Sequence, residues 1–341
     1  MTQSHMAREV AEIPQVAALF LEKSRPAIQA AAAALRKIDP HVIATVARGS
    51  SDHAAAYLKY AIELSAGVPV ASVGPSIASI YQRQLRLAGA ACIGVSQSGQ
   101  SPDIVKMMSS STESGALTIA ITNYSQSPMA EVSDHCLTLH AGEEKSVAAT
   151  KTYVTSILAG IALLAEWQQD TALRDAVAAM PEALAGAVAL DWSPLAARLA
   201  RAQHAFVLGR GASFAVANEA ALKMKETSGI HAEAYSAAEV LHGPAAIVQA
   251  HFPVLALGVE DAALPQLTAT ATRLARQGAD VFVTGADVTG ATRLPSVPDL
   301  HPLLAPLALV VSYYRCVEEL ARRRGFDPDT PPHLRKVTET T

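Results

Sequence analysis

The chain has 341 residues, too many for one ordinary core, so it can bury ample apolar surface without disulfides or a structural metal. Half of its residues are hydrophobic and few are aromatic, a balance that fits helix-rich α/β packing. The formal net charge is −4, which excludes a protein whose affinity for nucleic acid rests on clustered lysine and arginine.

Arg8, Glu9 and Glu12 stand where a signal peptide would carry its apolar stretch. A helical pattern follows over 14–37. The short β-rich runs "VIATVA", "VPVASV", "ACIGVS" and "LTIAIT" then alternate with alanine-rich helical patterns, and a second helical region over 151–190 ends near Pro181 and "DWSP". Beyond it come "HAFVLG", "PVLALG" and "DVFVTG", again separated by helical patterns. The apolar run "PLLAPLALVVSYY" is too short for a membrane span and is broken by Pro306. The proline-rich tail "FDPDTPPHLRKVTETT" cannot fold alone and is expected to lie across another surface. Cys92, Cys136 and Cys316 are odd in number, far apart and set in apolar surroundings, which predicts free buried thiols and a reducing, cytoplasmic location.

An internal repeat organises these elements. The stretch "VARGSSDHAAAYLKYAIELSAGVPV" (46–70) aligns without gaps on "LGRGASFAVANEAALKMKETSGIHA" (208–232), pairing Arg48 with Arg210, Gly49 with Gly211, Ser51 with Ser213 and Gly67 with Gly229. The same offset carries "ACIGV" onto "PVLAL" and Thr122 onto Thr284. Alternating strands and helices in two copies predict an α/β protein with two doubly wound parallel sheets, each binding ligands beyond the carboxyl ends of its strands. The copies differ at one place: where the first has "SQSGQS" after its third strand, the second has "GVEDAA".

That loop, Ser96, Gln97, Ser98 and Ser101 around Gly99, runs from a buried strand into a helix and aims hydroxyls and backbone N–H groups at one point, as an anion requires. Taken alone it reads first as a serine-rich turn capping a helix. "RGSS" after the first strand brings Ser50 and Ser51 to the same sheet edge, where they could converge on one phosphate. No Walker lysine and no GxGxxG follows a strand, which disfavours nucleotides. In the second copy, Glu219, Lys223 and Glu226 fall on one helix face at spacings of four and three. They form either an exposed ion-pair ladder or, since the helix is otherwise apolar, a charged stripe facing a cleft. His242 precedes Gly243 and Pro244 in a turn, where an imidazole can serve as a base.

Together, "RGSS", "SQSGQS", "EKSVAATKT", "NEAALKMKETSGIHAEAY", "AAEVLHGP" and "HLRKVTE" resemble the sugar isomerase (SIS) domains found in the isomerase half of glutamine-dependent glucosamine-6-phosphate synthases. The amidotransferase half is expected to be missing, which makes the chain similar to SIS-type glucosamine-6-phosphate deaminases. The resemblance implies two tandem five-stranded SIS domains, over 37–190 and 191–325, after a helical segment 1–36 and before a tail 326–341 that closes over the active site. It implies phosphate contacts from Ser96, Gln97, Ser98 and Ser101 with Ser50 and Ser51, and further substrate contacts from Val147, Ala149 and Glu219. It places proton transfer on Glu226 with Lys223 beside it, ring opening on His242 donated by the neighbouring subunit of a homodimer, and a carbonyl contact on Lys336. No metal and no cofactor is implied. The family synthase's "VAST" serine is replaced by Ala149 in "SVAATKT", which leaves the sugar open between gluco, galacto and fructosamine 6-phosphates. A phosphosugar sensor without catalysis is the remaining alternative class.

Overall fold

A computed structural model of the chain describes residues 3–334 and 336. The far end of the expected tail, Arg335 and 337–341, lies outside the described residues. The chain divides into two compact units, one holding Ile13–Glu144 and Lys151–Pro181, the other holding 3–12, Lys145–Thr150 and Glu182–Lys336.

From its N-terminal end the chain passes through α1 (His5–Lys23), α2 (Arg25–Ile38), β1 (Ile43–Val46), α3 (Ser50–Ala66), β2 (Val70–Ser72) and α4 (Ser76–Ser79). It continues through β3 (Ala91–Val95), α5 (Pro102–Glu113), β4 (Leu117–Thr122), α6 (Pro128–Glu131), β5 (His135–Thr138), α7 (Lys151–Trp167) and α8 (Thr171–Ala189). The five strands form a sheet in the order β2-β1-β3-β4-β5, parallel throughout, with Ile43 opposite both Val70 and Ala91. Because helices cover both faces, β1 and β3 are buried along their whole length and read as unbroken apolar runs. One face packs Val46, Cys92 and Ala120 against Ile104, Met107 and Met108 of α5. Elsewhere in this unit α7 is buried nearly all round, and a Cβ on its Gly160 would lie 2.2 Å from Cδ2 of Leu58, so only glycine lets α3 and α7 approach this closely. α8 runs through Pro181 to Ala189, within the helical region expected over 151–190; the proline removes one donor while the alanine-rich turns on either side keep theirs.

The second unit continues with α9 (Ser193–Leu199), β6 (His204–Gly209), α10 (Ala212–Ser228), β7 (His231–Ser236), β8 (Pro253–Ala256), α11 (Leu264–Arg276), β9 (Asp280–Val283), β10 (Thr292–Arg293) and α12 (Ala305–Arg323). Its sheet order is β10-β9-β8-β6-β7, the same winding as the first when each sheet is read from its own first strand. Phe206, Leu208, Val254, Ala256 and Val281 pack against Leu267, Ala271 and Leu274 of α11.

The repeat extends to the backbone. Gly49 before α3 has φ 55 and ψ −132, and Gly211 before α10 has φ 63 and ψ −137. Both helices end on a left-handed glycine, Gly67 and Gly229. Among the described residues no helix is long and apolar enough to cross a membrane. Cys92, Cys136 and Cys316 are all free, the first and last buried and Cys136 partly so.

Candidate functional site

β1 and β3 are neighbours in a parallel sheet, so the chain leaves both at the same edge, where the strand order reverses and doubly wound sheets take ligands. Ser50 and Ser51 open α3 there and are half-buried. The loop after β3 is folded on itself: Oγ of Ser96 accepts from the Gly99 N–H at 3.1 Å, and Oγ of Ser98 accepts from the Gln100 N–H at 3.3 Å. The Gln97 carbonyl accepts from the Asn123 N–H at 3.1 Å and from the Thr122 hydroxyl at 3.3 Å, which ties the loop to the end of β4. Gly99 sits at φ 63, and a Cβ there would lie 2.2 Å from Oγ of Ser127, so its need for glycine comes from the chain's own packing.

Ser101 is the N-cap of α5, with Pro102 at the first helical position, yet its side chain makes no cap hydrogen bond. The residue is half-buried. Ser96, by contrast, is only 6% exposed and shapes the loop. Asp52, in the first turn of α3, has its carboxyl held above the usual range because burial outweighs the opposing charges of His53 and Arg48.

In the second unit, α10 carries Glu219, Lys223 and Glu226. Glu219 and Lys223 have no exposed side-chain surface and Glu226 has 21%, so the exposed-ladder alternative does not hold. The Lys223 ammonium lies 3.1 Å from Oε1 of Glu219 and donates at 2.7 Å to Oε2 of Glu226. Burial works against that charge, but the two carboxylates outweigh it and hold Lys223 protonated above the ordinary lysine range. The Tyr314 hydroxyl of α12 also donates to Oε1 of Glu219, at 3.0 Å, and the Tyr313 hydroxyl donates to the Ala220 carbonyl at 2.7 Å. One carboxylate of the set thus reaches the surface while the other is locked inside.

Val147 and Ala149 lie half-buried in an irregular segment of the same unit. Glu9 of α1 accepts hydrogen bonds from the N–H groups of Lys145 and Ser146, and the Val147 N–H donates to the Asp329 carbonyl at 3.1 Å. The Asp329 carboxylate accepts from His5 N and Met6 N at 2.7 and 2.8 Å, capping α1. The Lys336 ammonium donates at 2.7 Å to the Ser146 carbonyl. Lys336 is thereby brought to the segment that contains Val147 and Ala149. His242 is exposed at the end of a short 3-10 turn, Glu239–His242, after β7, followed by Gly243 at φ 151. The structure places it beside none of the other candidate residues of its unit by a hydrogen bond or ion pair.

Sequence reasoning missed four contributors. Glu9 and Asp329 act from positions remote in sequence, and Tyr314 lies inside an apolar helix pattern that gives no sign of its hydroxyl's partner. Arg48 and Asp103 form an ion pair at 2.7 Å between the two serine loops; the repeat alignment marked Arg48 but not its partner.

The SIS domain family matches residues 38–166 and 198–287. A glutamine–fructose-6-phosphate aminotransferase (isomerizing) of Symbiobacterium thermophilum is 34% identical over 324 residues, covering 89% of this chain and 51% of that protein. The chain thus spans about half the length of the curated relatives it matches. A crystal structure from Silicibacter pomeroyi DSS-3, provisionally described as a phosphosugar isomerase, is 51% identical, with a TM-score of 0.93 covering 96% of this chain and all of that one. The C-terminal domain of glucosamine-fructose-6-phosphate aminotransferase from Francisella tularensis is 25% identical, with a TM-score of 0.85 over 97% of this chain and 99% of that one.

Proposed function

Because this chain belongs to the SIS domain family, we propose that it is an amino-sugar phosphate deaminase and isomerase, turning glucosamine 6-phosphate and water into fructose 6-phosphate and ammonia. The observation that carries the reading is the Glu219, Lys223 and Glu226 set on α10, which presents one carboxylate, fixed by a buried ammonium, at the surface. A sensor that only binds sugar phosphates has no use for such a group. The reaction needs one: a single carboxylate that takes the proton from C2 of the open-chain amino sugar and returns it to C1. The ketimine so formed at C2 adds water and expels ammonia.

In this reading Ser50, Ser51, Ser98 and Ser101, with the backbone N–H groups around Gln97, hold the phosphate, and Ser96 holds the loop in shape. Glu226 moves the proton. Lys223 keeps Glu226 in place and charged partners close, and Lys336 contacts the sugar carbonyl. His242 opens the ring, and we propose that it does so for the neighbouring subunit of a homodimer, in keeping with its exposure. Val147 and Ala149 complete the substrate surroundings, whereas Glu219, expected there too, has a fully buried side chain and acts only by holding Lys223. As functional domains we propose 37–190 and 191–325 with a closing tail, although by compactness Lys145–Thr150 and 182–190 belong with the second.

The test is ammonia release, measured by a coupled assay, from glucosamine, galactosamine and fructosamine 6-phosphates. Release from the gluco substrate without added glutamine supports the proposal. Release from another member alone moves the substrate, as Ala149 in place of a hydroxyl residue would allow. Binding of the phosphosugars by calorimetry with no ammonia from any of them supports the sensor instead.

A further inference from the structure

Arg48 leads from β1 into the Gly49 turn, two residues before Ser50, and Asp103 is the second residue of α5, two after Ser101. The Arg48 guanidinium donates from Nε at 3.0 Å and from Nη2 at 2.7 Å, both to Oδ2 of Asp103. Asp103 has no exposed side-chain surface, and its Oδ1 accepts from the Ile104 N–H at 2.9 Å. The Arg48 side chain is 50% exposed. The pair is therefore polar in a definite direction, with its carboxylate inside and its guanidinium outside. A guanidinium carries five N–H donors. Asp103 engages two of them, and those on Nη1 make no hydrogen bond to a described residue.

The second copy supplies a built-in contrast. Its arginine, Arg210, donates instead from Nη1 to Oγ of Ser236 at 2.9 Å, and Pro265 stands at the second position of α11, where the first copy has Asp103. The arginine-aspartate pair thus occurs in the copy that keeps the hydroxyl loop and is absent from the copy that has "GVEDAA" there. A structural staple for the winding would be wanted in both.

We propose that Arg48 is a further substrate-binding residue, contacting the phosphate of the sugar phosphate through its outward N–H groups while Asp103 holds it in position between the two serine loops. This rests on the reading of those loops as the phosphate site. The pairing answers an electrostatic difficulty: a carboxylate in the first turn of α5 repels a phosphate dianion at the same helix end, and a guanidinium interposed between the two charges turns that repulsion into an attraction. The planar fork also fits two phosphate oxygens at once, which a serine hydroxyl cannot do.

The experiment uses the full chain and calorimetric titration with glucosamine 6-phosphate, inorganic phosphate and unphosphorylated glucosamine, at low and at raised salt. Arg48→Gln should weaken binding of glucosamine 6-phosphate and inorganic phosphate by about ten- to a hundredfold, the loss of a hydrogen bond to a charged group, and should flatten the salt dependence. Arg48→Lys keeps the charge and should fall between that variant and the wild type, which also guards against a misfolded glutamine variant. Asp103→Asn leaves the guanidinium in place and should cost less than Arg48→Gln, while Arg210→Gln should change neither titration. Equal losses from Asp103→Asn and Arg48→Gln, or wild-type phosphate affinity in Arg48→Gln, would overturn the assignment. Wild-type protein that binds no phosphorylated probe would overturn the loop reading itself, and the assignment with it.

Discussion

The Lys223 ammonium donates at 2.7 Å to Glu226, one turn further along α10, and this contact joins a fully buried cation to a carboxylate that reaches the surface. That partial exposure, with one oxygen held by Lys223, fits the proton transfer proposed for Glu226. Glu226→Gln keeps the shape and the acceptor oxygen but cannot carry a proton. Turnover should fall on the order of 10² to 10⁴ with little change in the Michaelis constant, and exchange of the C2 proton into deuterated solvent should disappear. Full exchange in that variant would remove Glu226 from the role.

Replacing Lys223 tests the inside of the same set. Lys223→Met takes the ammonium away from Glu219, whose side chain is fully buried, and breaking a buried pair in this way costs about 3–5 kcal/mol. The pH dependence follows from sign. In the variant, burial without the ammonium raises the Glu219 carboxyl in the folded state above its unfolded value. Its contribution is therefore favourable below the unfolded carboxylate range and is lost as pH rises through the raised value. The wild type, with Lys223 held protonated above the ordinary lysine range, keeps its contribution through neutral pH and loses it only in strong alkali. Urea melts at pH 5 and pH 8 should show a variant much weaker at the higher pH, whereas a pH-independent deficit would mean that lost packing, and not charge, dominates.

Much of this arrangement was legible in the sequence. The gapless repeat predicts two doubly wound sheets, and the glycines it pairs, Gly49 with Gly211 and Gly67 with Gly229, share positive φ values in the structure. Periodicity put Glu219, Lys223 and Glu226 on one face, though their burial was undecided, because spacing alone does not say what a face packs against. Glu9, Asp329 and Tyr314 were invisible for a different reason. Their partners are backbone N–H groups or a side chain more than ninety residues away, and such contacts exist only once the fold has formed. Asp103 gives no sign of its partner in the sequence, because an acid in a first helical turn equally complements the helix dipole.

The hydroxyls of the loop should separate into two kinds. Ser101 makes no cap hydrogen bond, so Ser101→Ala should raise the Michaelis constant while leaving the melting temperature within error. Ser96 accepts from the Gly99 N–H and is 6% exposed, so Ser96→Ala should lower the melting temperature as well as the affinity. Identical behaviour of the two variants in thermal melts and steady-state kinetics would refute this division.

The cysteines should be inert in the native state. Burial pushes the Cys92 thiol up to about 11 and raises Cys316 still further, and Cys136 is raised by its partial burial too. Since the thiolate is the reactive form, a disulfide reagent at pH 8 should label the folded protein slowly, with Cys136 first, and all three cysteines rapidly in denaturant. Fast labelling of Cys92 or Cys316 without unfolding would contradict the burial on which the expectation rests.

Gly99 offers the sharpest test of the loop, because two independent obstacles stand against any side chain there. Its φ of 63 lies in the left-handed region, which costs an L-residue roughly 1–2 kcal/mol. A Cβ would also lie 2.2 Å from Oγ and 2.6 Å from Cβ of Ser127, an overpacking that costs about 1–3 kcal/mol. Ser127 is 3% exposed and caps the short helix α6 through the Ala130 N–H, so it cannot simply swing aside. Gly99→Ala should therefore lower stability by the sum of both effects and displace Ser98 and Ser101 enough to abolish phosphate binding. Ser127→Gly alone should be mild, since glycine serves nearly as well at a helix cap, losing a few tenths of a kcal/mol. Combined with Gly99→Ala, it should restore most of the packing part of the loss, with Oγ1 of Thr122 still 2.9 Å from the added Cβ, and leave the backbone part. Thermal melts of the two single variants and the double variant form a cycle whose coupling should be favourable. Additive losses would mean that the loop accommodates the methyl by moving away from Ser127, and phosphate binding by the double variant would then report how far.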